Sequence, residues 1–188
     1  MSNVTVFDKA PEQVLANMVV KQKYITLATA FNKLPVMPET ATVAYAFGKA
    51  NYHYAIFWLS SPQSNHSQHI IDNPNISGEI IDQTMPQGTG FKIKFRGPAY
   101  AMDDLSDQRL HRGYEFLKDK LTQFPQTLGD LVKNDSLKKI YMMRVEDVTV
   151  NAAIEYEGQI GWKDISLNHD APTSNVLHLA HEMNFHVD

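Results

Sequence analysis

The feature that most constrains this sequence is a series of six segments rich in β-branched and aromatic residues. Such residues favour strands, and most connections between the segments are hairpin-like. A largely antiparallel set of strands with few helices excludes a parallel α/β fold. Closing the sheet removes its edges, so the sequence predicts a mainly β (β + α) fold: a six-stranded antiparallel barrel with flanking helices. The strands are predicted at residues 24–30, 42–47, 52–59, 75–82, 91–102 and 138–153.

Three helices are predicted around these strands, each marked by apolar residues at helical spacing. Ser64 or Asn65 is the expected N-cap of the second helix, and Asp103 or Asp104 that of the third. A turn is expected at residues 48–51, between the second and third strands. The helices are predicted at residues 10–22, 65–73 and 104–124.

Composition limits what the chain can bind. Its 188 residues carry a net charge of −4 with an isoelectric point near 6.0, which gives no reason to expect nucleic acid or an anionic membrane as a partner. The chain has no cysteine, which excludes thiolate metal sites, and no run approaches the ~18 apolar residues of a membrane span. We predict a cytoplasmic protein with one domain over residues 1–153. Residues 154–188 are expected to form an extension that packs on the barrel or on a partner subunit.

The segment between the third strand and the second helix is rich in serine. Ser60, Ser61, Ser64 and Ser67 supply hydroxyl donors, and the start of the helix adds free backbone N–H groups with a partial positive charge. These donors suit an anion such as phosphate. From spacing alone a second interpretation stays open, a capped helix that follows a serine-rich turn and binds nothing.

Histidines occur in two places where ligand binding has to be weighed. His66 and His69 can face one side of a helix, but no third ligand is in view, so we predict no metal there. His178 and His181 stand beside Glu182 near the end of the chain. A metal or haem ligand is one interpretation of this pair, and an amphipathic final helix with surface histidines is the other.

Three cations alternate with apolar residues in the fifth predicted strand. They are Lys92, Lys94 and Arg96, and a period of two puts all three on one face. That face is either solvated or turned in part toward a bound anion.

Three stretches carry a resemblance to a known family: "YITLATA", "FWLSSPQSNHSQHIIDNPNISGEIID" and "FKIKFRGPAYAMDD". Their order of elements is similar to that of the FMN-binding split β-barrel family, which contains the pyridoxamine 5'-phosphate oxidases and the general stress flavoproteins. The middle stretch has the family's succession of strand, anion-binding loop, short helix, Asn-Pro and next strand. The likeness spans residues 12–151 and implies that the predicted barrel is a split β-barrel.

The resemblance implies an obligate homodimer that binds FMN in a groove between the two barrels. Leu59 and Ser60 match the strand end that lines the flavin. Ser64, Asn65 and His66 match the family's Ser-Arg-Lys positions, which meet the phosphate. The predicted cofactor-binding residues are Leu59, Ser60, Ser61, Ser64, Asn65, His66, Ser67 and Lys92.

Two departures from the family pattern bear on function. Asn65 and His66 stand where the oxidases have two permanent cations, and an imidazole is a weaker phosphate partner than an arginine fork. Lys92, which matches a polar residue near the flavin ring or ribityl chain, can replace part of that charge. The oxidases' C-terminal arginine-histidine substrate motif is missing, so oxidation of pyridoxamine phosphate is not expected.

These features together predict an FMN-binding protein that works as a flavin-dependent oxidoreductase or flavin reductase. The cofactor would carry the redox chemistry, and no side chain stands out as a general acid or base, so no catalytic residue is predicted. The alternative is a non-enzymatic flavin- or haem-binding protein, because a relative of this barrel family binds haem with C-terminal histidines.

Overall fold

The computed structural model describes residues 11–50, 53–82, 91–122, 124, 126–156 and 159–167, with the backbone alone at 11–13, 151–156, 159–165 and 167. The chain divides into two compact units. The first comprises residues 1–22, 79–95 and 146–188, and the second comprises residues 23–78 and 96–145. The elements are α1 (Pro11–Lys21), β1 (Tyr24–Ala30), β2 (Pro38–Ala50), β3 (His53–Ser60), α2 (Asn65–Asp72), β4 (Asn75–Ile81), β5 (Lys92–Met102), α3 (Gln108–Lys120), α4 (Leu128–Leu131), β6 (Lys139–Arg144), β7 (Asp147–Tyr156) and β8 (Gln159–Leu167).

The strands join in the order β4-β1-β2-β3-β6-β5-β7-β8, and β4 also pairs with β5. This additional pairing closes β1 to β6 into a ring, to which β7 and β8 are added. The ladders β1–β2, β2–β3, β3–β6, β5–β6 and β7–β8 are antiparallel. The predicted mainly β fold, a six-stranded antiparallel barrel with helices, is therefore confirmed.

The local sequence pattern predicted the bounds of several elements to within one residue. β1 has the predicted bounds, and its alternate residues Ile25, Leu27 and Thr29 are buried. The bounds of β3, α2 and β4 differ from the predicted ones by at most one residue at each end. These segments combine a strict period with strong end signals, such as the proline that follows α2.

β2 is longer than predicted, and the turn predicted at residues 48–51 is wrong for its first three residues. Gly48 pairs with Ala55 and Ala50 pairs with His53 in the ladder with β3. The glycine serves a close approach and not a turn, because a Cβ at residue 48 would overlap the ring of Phe116 on α3. Residues 51 and 52 lie outside the described ranges.

The predicted sixth strand is two strands. β6 ends at Arg144 and β7 begins at Asp147, so a break at Val145 and Glu146 replaces the expected continuous segment. The backbone N–H of Val145 still donates to the carbonyl of Tyr54 at 2.9 Å. The chain passes from the second unit to the first directly afterwards.

Helix α3 begins later than predicted, and its N-cap is Asp107. The Asp107 carboxylate accepts from the N–H of Arg109 at 2.8 Å and also pairs with the Arg109 guanidinium at 2.7 Å. Asp104, one of the two predicted caps, instead accepts from the N–H of Ser106 at 2.8 Å in the turn before the helix. The hydrogen bonds from the Arg109 side chain hold the pKa of Asp107 below its usual range.

A final strand, β8, falls within the predicted C-terminal extension and was not expected. It pairs with β7 from Val148↔Leu167 to Tyr156↔Gln159, so the two strands form an antiparallel hairpin. Residues 168–188, which include His178 and His181, lie outside the described ranges. The division of the chain at residues 153 and 154 stays a prediction.

In the second unit, helix α3 packs on the sheet face that Phe57 of β3 shares with Ile140 and Met142 of β6. Phe57 and Leu110 are fully buried. Gly113 lets the helix come close, since a Cβ at this residue would overlap the Phe57 ring. This face of β3 therefore packs in the core under α3.

The opposite face of β3 carries Ile56, Trp58 and Ser60, because side chains alternate along a strand. Trp58 is fully buried and stacks on Tyr141 of β6, with ring centroids 5.7 Å apart. Ser60 ends the strand and is also buried. This second face leads from an aromatic layer to the serine-rich segment.

The first unit contains helix α1, whose residues Leu15 and Val19 are fully buried. In β5, Lys92 and Lys94 alternate with buried Ile93 and Phe95, as the predicted period of two requires. None of the helices in the described ranges is long and apolar enough to cross a membrane.

Candidate functional site

The candidate site lies in the second unit, where β3 ends and α2 begins. The N–H of Ser64 donates to the carbonyl of Ser61 at 3.1 Å, and the Gln68 side chain donates to the carbonyl of Pro62 at 2.6 Å. Ser64 is the N-cap of α2, as predicted, but its side chain makes no capping hydrogen bond. The hydroxyl lies 2.8 Å from the carbonyl oxygen of Ser61 instead. The loop is thus held in place while the first-turn N–H groups receive nothing from the cap side chain.

Four side chains converge here, and we call Ser60, Ser64, His66 and Ser67 the serine–histidine cluster. The Nε2 atom of His66 lies 2.7 Å from Ser60 Oγ and 3.2 Å from Ser64 Oγ. Ser64 Oγ lies 2.8 Å from Ser67 Oγ, which is itself 3.3 Å from Ser60 Oγ. The sequence predicted all four as cofactor-binding residues, and the structure brings them together.

His66 is the ionisable member of the cluster. Burial lowers the pKa of its imidazole below the ordinary 6.5; the charge of Glu39 opposes this shift and that of His69 adds to it. The imidazole is therefore mainly neutral at neutral pH. In that state Nε2 can accept a hydrogen bond from Ser60, the closer of the two hydroxyls.

Two aromatic residues extend the cluster into the core. Tyr141 forms a hydrogen bond with Ser67, which opposes the rise that burial causes in the tyrosine pKa. Trp58 stacks on Tyr141 and is fully buried. Within the described ranges its Nε1 donor has no hydrogen-bond partner, which is uncommon for a buried polar group.

The second histidine of α2 has a structural role. His69 is buried, its Nδ1 lies 3.0 Å from Thr29 Oγ1, and its ring packs against the edge of Phe31 with centroids 4.1 Å apart. These contacts join α2 to the end of β1. The residues that the structure describes contain no group of three or more histidine, cysteine, aspartate or glutamate side chains able to hold a metal.

The other predicted site residues are placed differently. Leu59 is partly buried and packs on the cluster of core residues under α3. Ser61 Oγ accepts from the N–H of Gln63 at 3.2 Å, and Asn65 is exposed. Lys92 belongs to the first unit, where its ammonium nitrogen lies 4.0 Å from a carboxylate oxygen of Glu79.

The sequence analysis did not predict Tyr141 or Trp58 as residues of the site. Trp58 lies two residues before Ser60 on the same strand face, so alternation alone could have placed it beneath the serines. Tyr141 could not be found in this way, because it reaches Trp58 through the long-range ladder of β3 with β6.

The closed six-stranded antiparallel barrel has the fold of the split-barrel proteins. Three solved structures illustrate the likeness. A haem-binding protein of Mycobacterium smegmatis superimposes with a TM-score of 0.58 at 14% identity over 82% of this chain. The haem storage protein HutZ of Vibrio cholerae gives 0.57 at 16% identity over 73%. General stress protein 26 of Bacillus anthracis gives 0.53 at 14% identity over 83%.

These likenesses establish the fold and leave the function open, because the identities are low. The match covers 58% of the mycobacterial chain, 92% of HutZ and 98% of the stress protein. No protein-family model and no curated protein sequence matches the chain.

Proposed function

We propose that this chain is an FMN-binding split-barrel protein, a homodimer with flavin at the subunit interface, in which the serine–histidine cluster anchors the phosphate. The observation that carries the proposal is the convergence of three hydroxyls and one imidazole at the start of α2. Hydroxyls, a helix N-terminus and an imidazole are groups that bind phosphate oxygens in many proteins. FMN, when bound, would supply hydride and electron transfer.

The donor set fits a phosphate ester. Ser60 Oγ, Ser64 Oγ and Ser67 Oγ lie within 3.3 Å of one another. Ser60 and Ser67 are buried, and Ser64 is partly exposed, so a phosphate group would meet the Ser64 hydroxyl first. The first-turn N–H groups of α2 are free of a side-chain cap. The Nε1 donor of Trp58 has no partner within the described ranges, and Trp58 stands two residues before Ser60 on the same face of β3.

The cluster has no permanent cation, which separates it from an arginine- and lysine-based anchor. Hydrogen bonds to a charged group contribute about 1.5–3 kcal/mol each, and neutral donors give less than cations. The proposed site therefore binds FMN with modest affinity and depends on several donors together. We further propose an oxidoreductase or flavin reductase role, with Leu59, Ser61 and Asn65 as the remaining cofactor-binding residues of the second unit.

A haem-binding function is the second candidate, because two of the structural neighbours are a haem-binding protein and a haem storage protein. His66 and His69 make hydrogen bonds through Nε2 and Nδ1 respectively, and His69 is buried. The other candidate axial ligands are His178 and His181 near the end of the chain. The haem proposal rests on a part of the chain outside the described ranges.

Titration with FMN, riboflavin and haemin separates the candidates. For the FMN proposal we expect saturable quenching of flavin fluorescence, with FMN bound about tenfold or more tighter than riboflavin, because riboflavin lacks the phosphate. Matched titration with haemin is expected to give no saturable Soret shift. A sharp, saturable Soret band with no flavin binding would favour the haem candidate and contradict the first.

A further inference from the structure

His66 can donate a hydrogen bond to an anion through Nε2 only when that nitrogen carries a proton. In the free protein the Ser64 hydroxyl can donate its single proton to the Ser61 carbonyl oxygen, 2.8 Å away, and it must rotate to donate to a phosphate. Ser60 lies 2.7 Å from Nε2 and can donate to it when the imidazole is neutral. A phosphate oxygen accepts hydrogen bonds and donates none when ionised. For such an oxygen to use Nε2, that nitrogen must carry a proton, in the neutral Nε2–H tautomer or in the imidazolium form, and only the imidazolium adds a full positive charge beside the phosphate.

The groups around His66 decide how it acquires that proton. Glu39 on β2 is the anionic neighbour, His69 lies on the same helix, and Ser60 approaches from β3. Tyr141 on β6 reaches the cluster through Ser67. Burial dominates in the free protein and lowers the pKa of His66. An anion within hydrogen-bond distance acts in the opposite direction and favours the imidazolium form.

We infer that the serine–histidine cluster binds a phosphate monoester together with one proton that His66 takes up, so that the anchor strengthens as the pH falls. This inference rests on the proposed function and names how that site is regulated. An arginine or lysine at the same position would stay charged across the whole physiological range. The histidine instead makes phosphate binding and protonation a single event.

The sign of the effect follows from linkage. The pKa of His66 lies below 6.5 in the free protein and rises when the anion binds. The additional binding free energy is fully present below the free-state pKa and is lost as the pH rises through the bound-state pKa. The phosphate itself gains charge near a pKa of about 6, which would strengthen binding to a permanent cation as the pH rises. The two kinds of anchor therefore predict opposite slopes.

The test is the ratio of the Kd for riboflavin to the Kd for FMN, measured from about pH 6 to about pH 8. We expect the preference for FMN to fall about tenfold over this range, since one linked proton allows at most about tenfold per pH unit. Calorimetry in buffers of different ionisation enthalpy should show proton uptake with FMN and less with riboflavin. The NMR titration of His66 should move to higher pH when FMN binds.

Three variants make the assignment specific. In His66→Lys the preference for FMN should no longer fall with pH, while Gln63→Ala, an exposed change on the same loop, should keep the wild-type slope. In His66→Gln the preference for FMN should be small and should not change with pH. An FMN preference that is constant or rises with pH in the wild type, or that falls equally in His66→Gln, overturns the inference and leaves the proposed function standing. Failure to bind FMN at every pH overturns both.

Discussion

Replacing Asn65 by arginine and His66 by lysine is expected to raise the affinity for FMN about ten- to a hundredfold. Asn65 is exposed and His66 points its Nε2 into the serine–histidine cluster, so the pair would place two permanent charges around the phosphate. Charged donors add about 1.5–3 kcal/mol per hydrogen bond, and partial exposure keeps the sum near the lower end. The affinity for riboflavin should stay unchanged, and fluorescence titration of both flavins measures the difference.

Gln63→Arg is the matched control for added charge. Gln63 is exposed on the same loop, and only its backbone N–H makes a hydrogen bond within the loop, to Ser61 Oγ. The Gln63→Arg variant adds a cation outside the serine–histidine cluster. We therefore expect the affinity for FMN to rise less than about threefold, through long-range attraction. Equal gains from Gln63→Arg and from the double variant would show that the phosphate does not bind where we place it.

Gly113→Ala is expected to lower the free energy of unfolding by about 1–2 kcal/mol. The added Cβ would overlap the ring of Phe57, which is fully buried between β3 and α3, so the helix or the ring must shift. Overpacking of this kind costs about 1–3 kcal/mol, and the better helix propensity of alanine returns up to about 1 kcal/mol. Chemical denaturation and a Tm lower by several degrees would report the loss.

Gly129→Ala provides the control for helix propensity. Gly129 also lies in a helix, and a Cβ there would meet only Thr127 Oγ1 at 3.9 Å, an ordinary contact. We expect no loss of stability in this variant. Combining Gly113→Ala with Phe57→Leu should cost less than the sum of the two single changes, because the smaller side chain relieves the overlap. Additive losses would contradict the close packing of α3 on β3.

Local pattern was enough to predict the elements that have their own start and stop signals. β1, α2 and β4 came from alternation, a serine N-cap and a following proline. Where tertiary packing decides, the sequence was misleading. Gly48 resembles a turn residue, yet it pairs with Ala55 within β2. A glycine is needed at this position because the ring of Phe116 on α3 leaves no room for a Cβ.

The same contrast holds for the candidate site. Ser60, Ser64 and His66 lie close in sequence, and a strand end followed by a helix start brings them together without long-range information. Tyr141 joins them only through the pairing of β3 with β6, which no local pattern reveals. Lys92 was chosen because it matches a polar residue of the family near the flavin, and its ammonium group approaches Glu79 in the first unit. Its part in cofactor binding stays a prediction.

Ser64→Ala with FMN and with riboflavin is the most direct test of phosphate anchoring by the serine–histidine cluster. Ser64 makes no capping hydrogen bond through its side chain, so its loss should leave α2 largely intact. We expect the Kd for FMN to rise about five- to tenfold and the Kd for riboflavin to stay the same. Only FMN has a phosphate that the Ser64 hydroxyl can bind, so only FMN loses a hydrogen bond. Equal changes in both Kd values, or no change in either, would contradict the placement of the phosphate in this cluster.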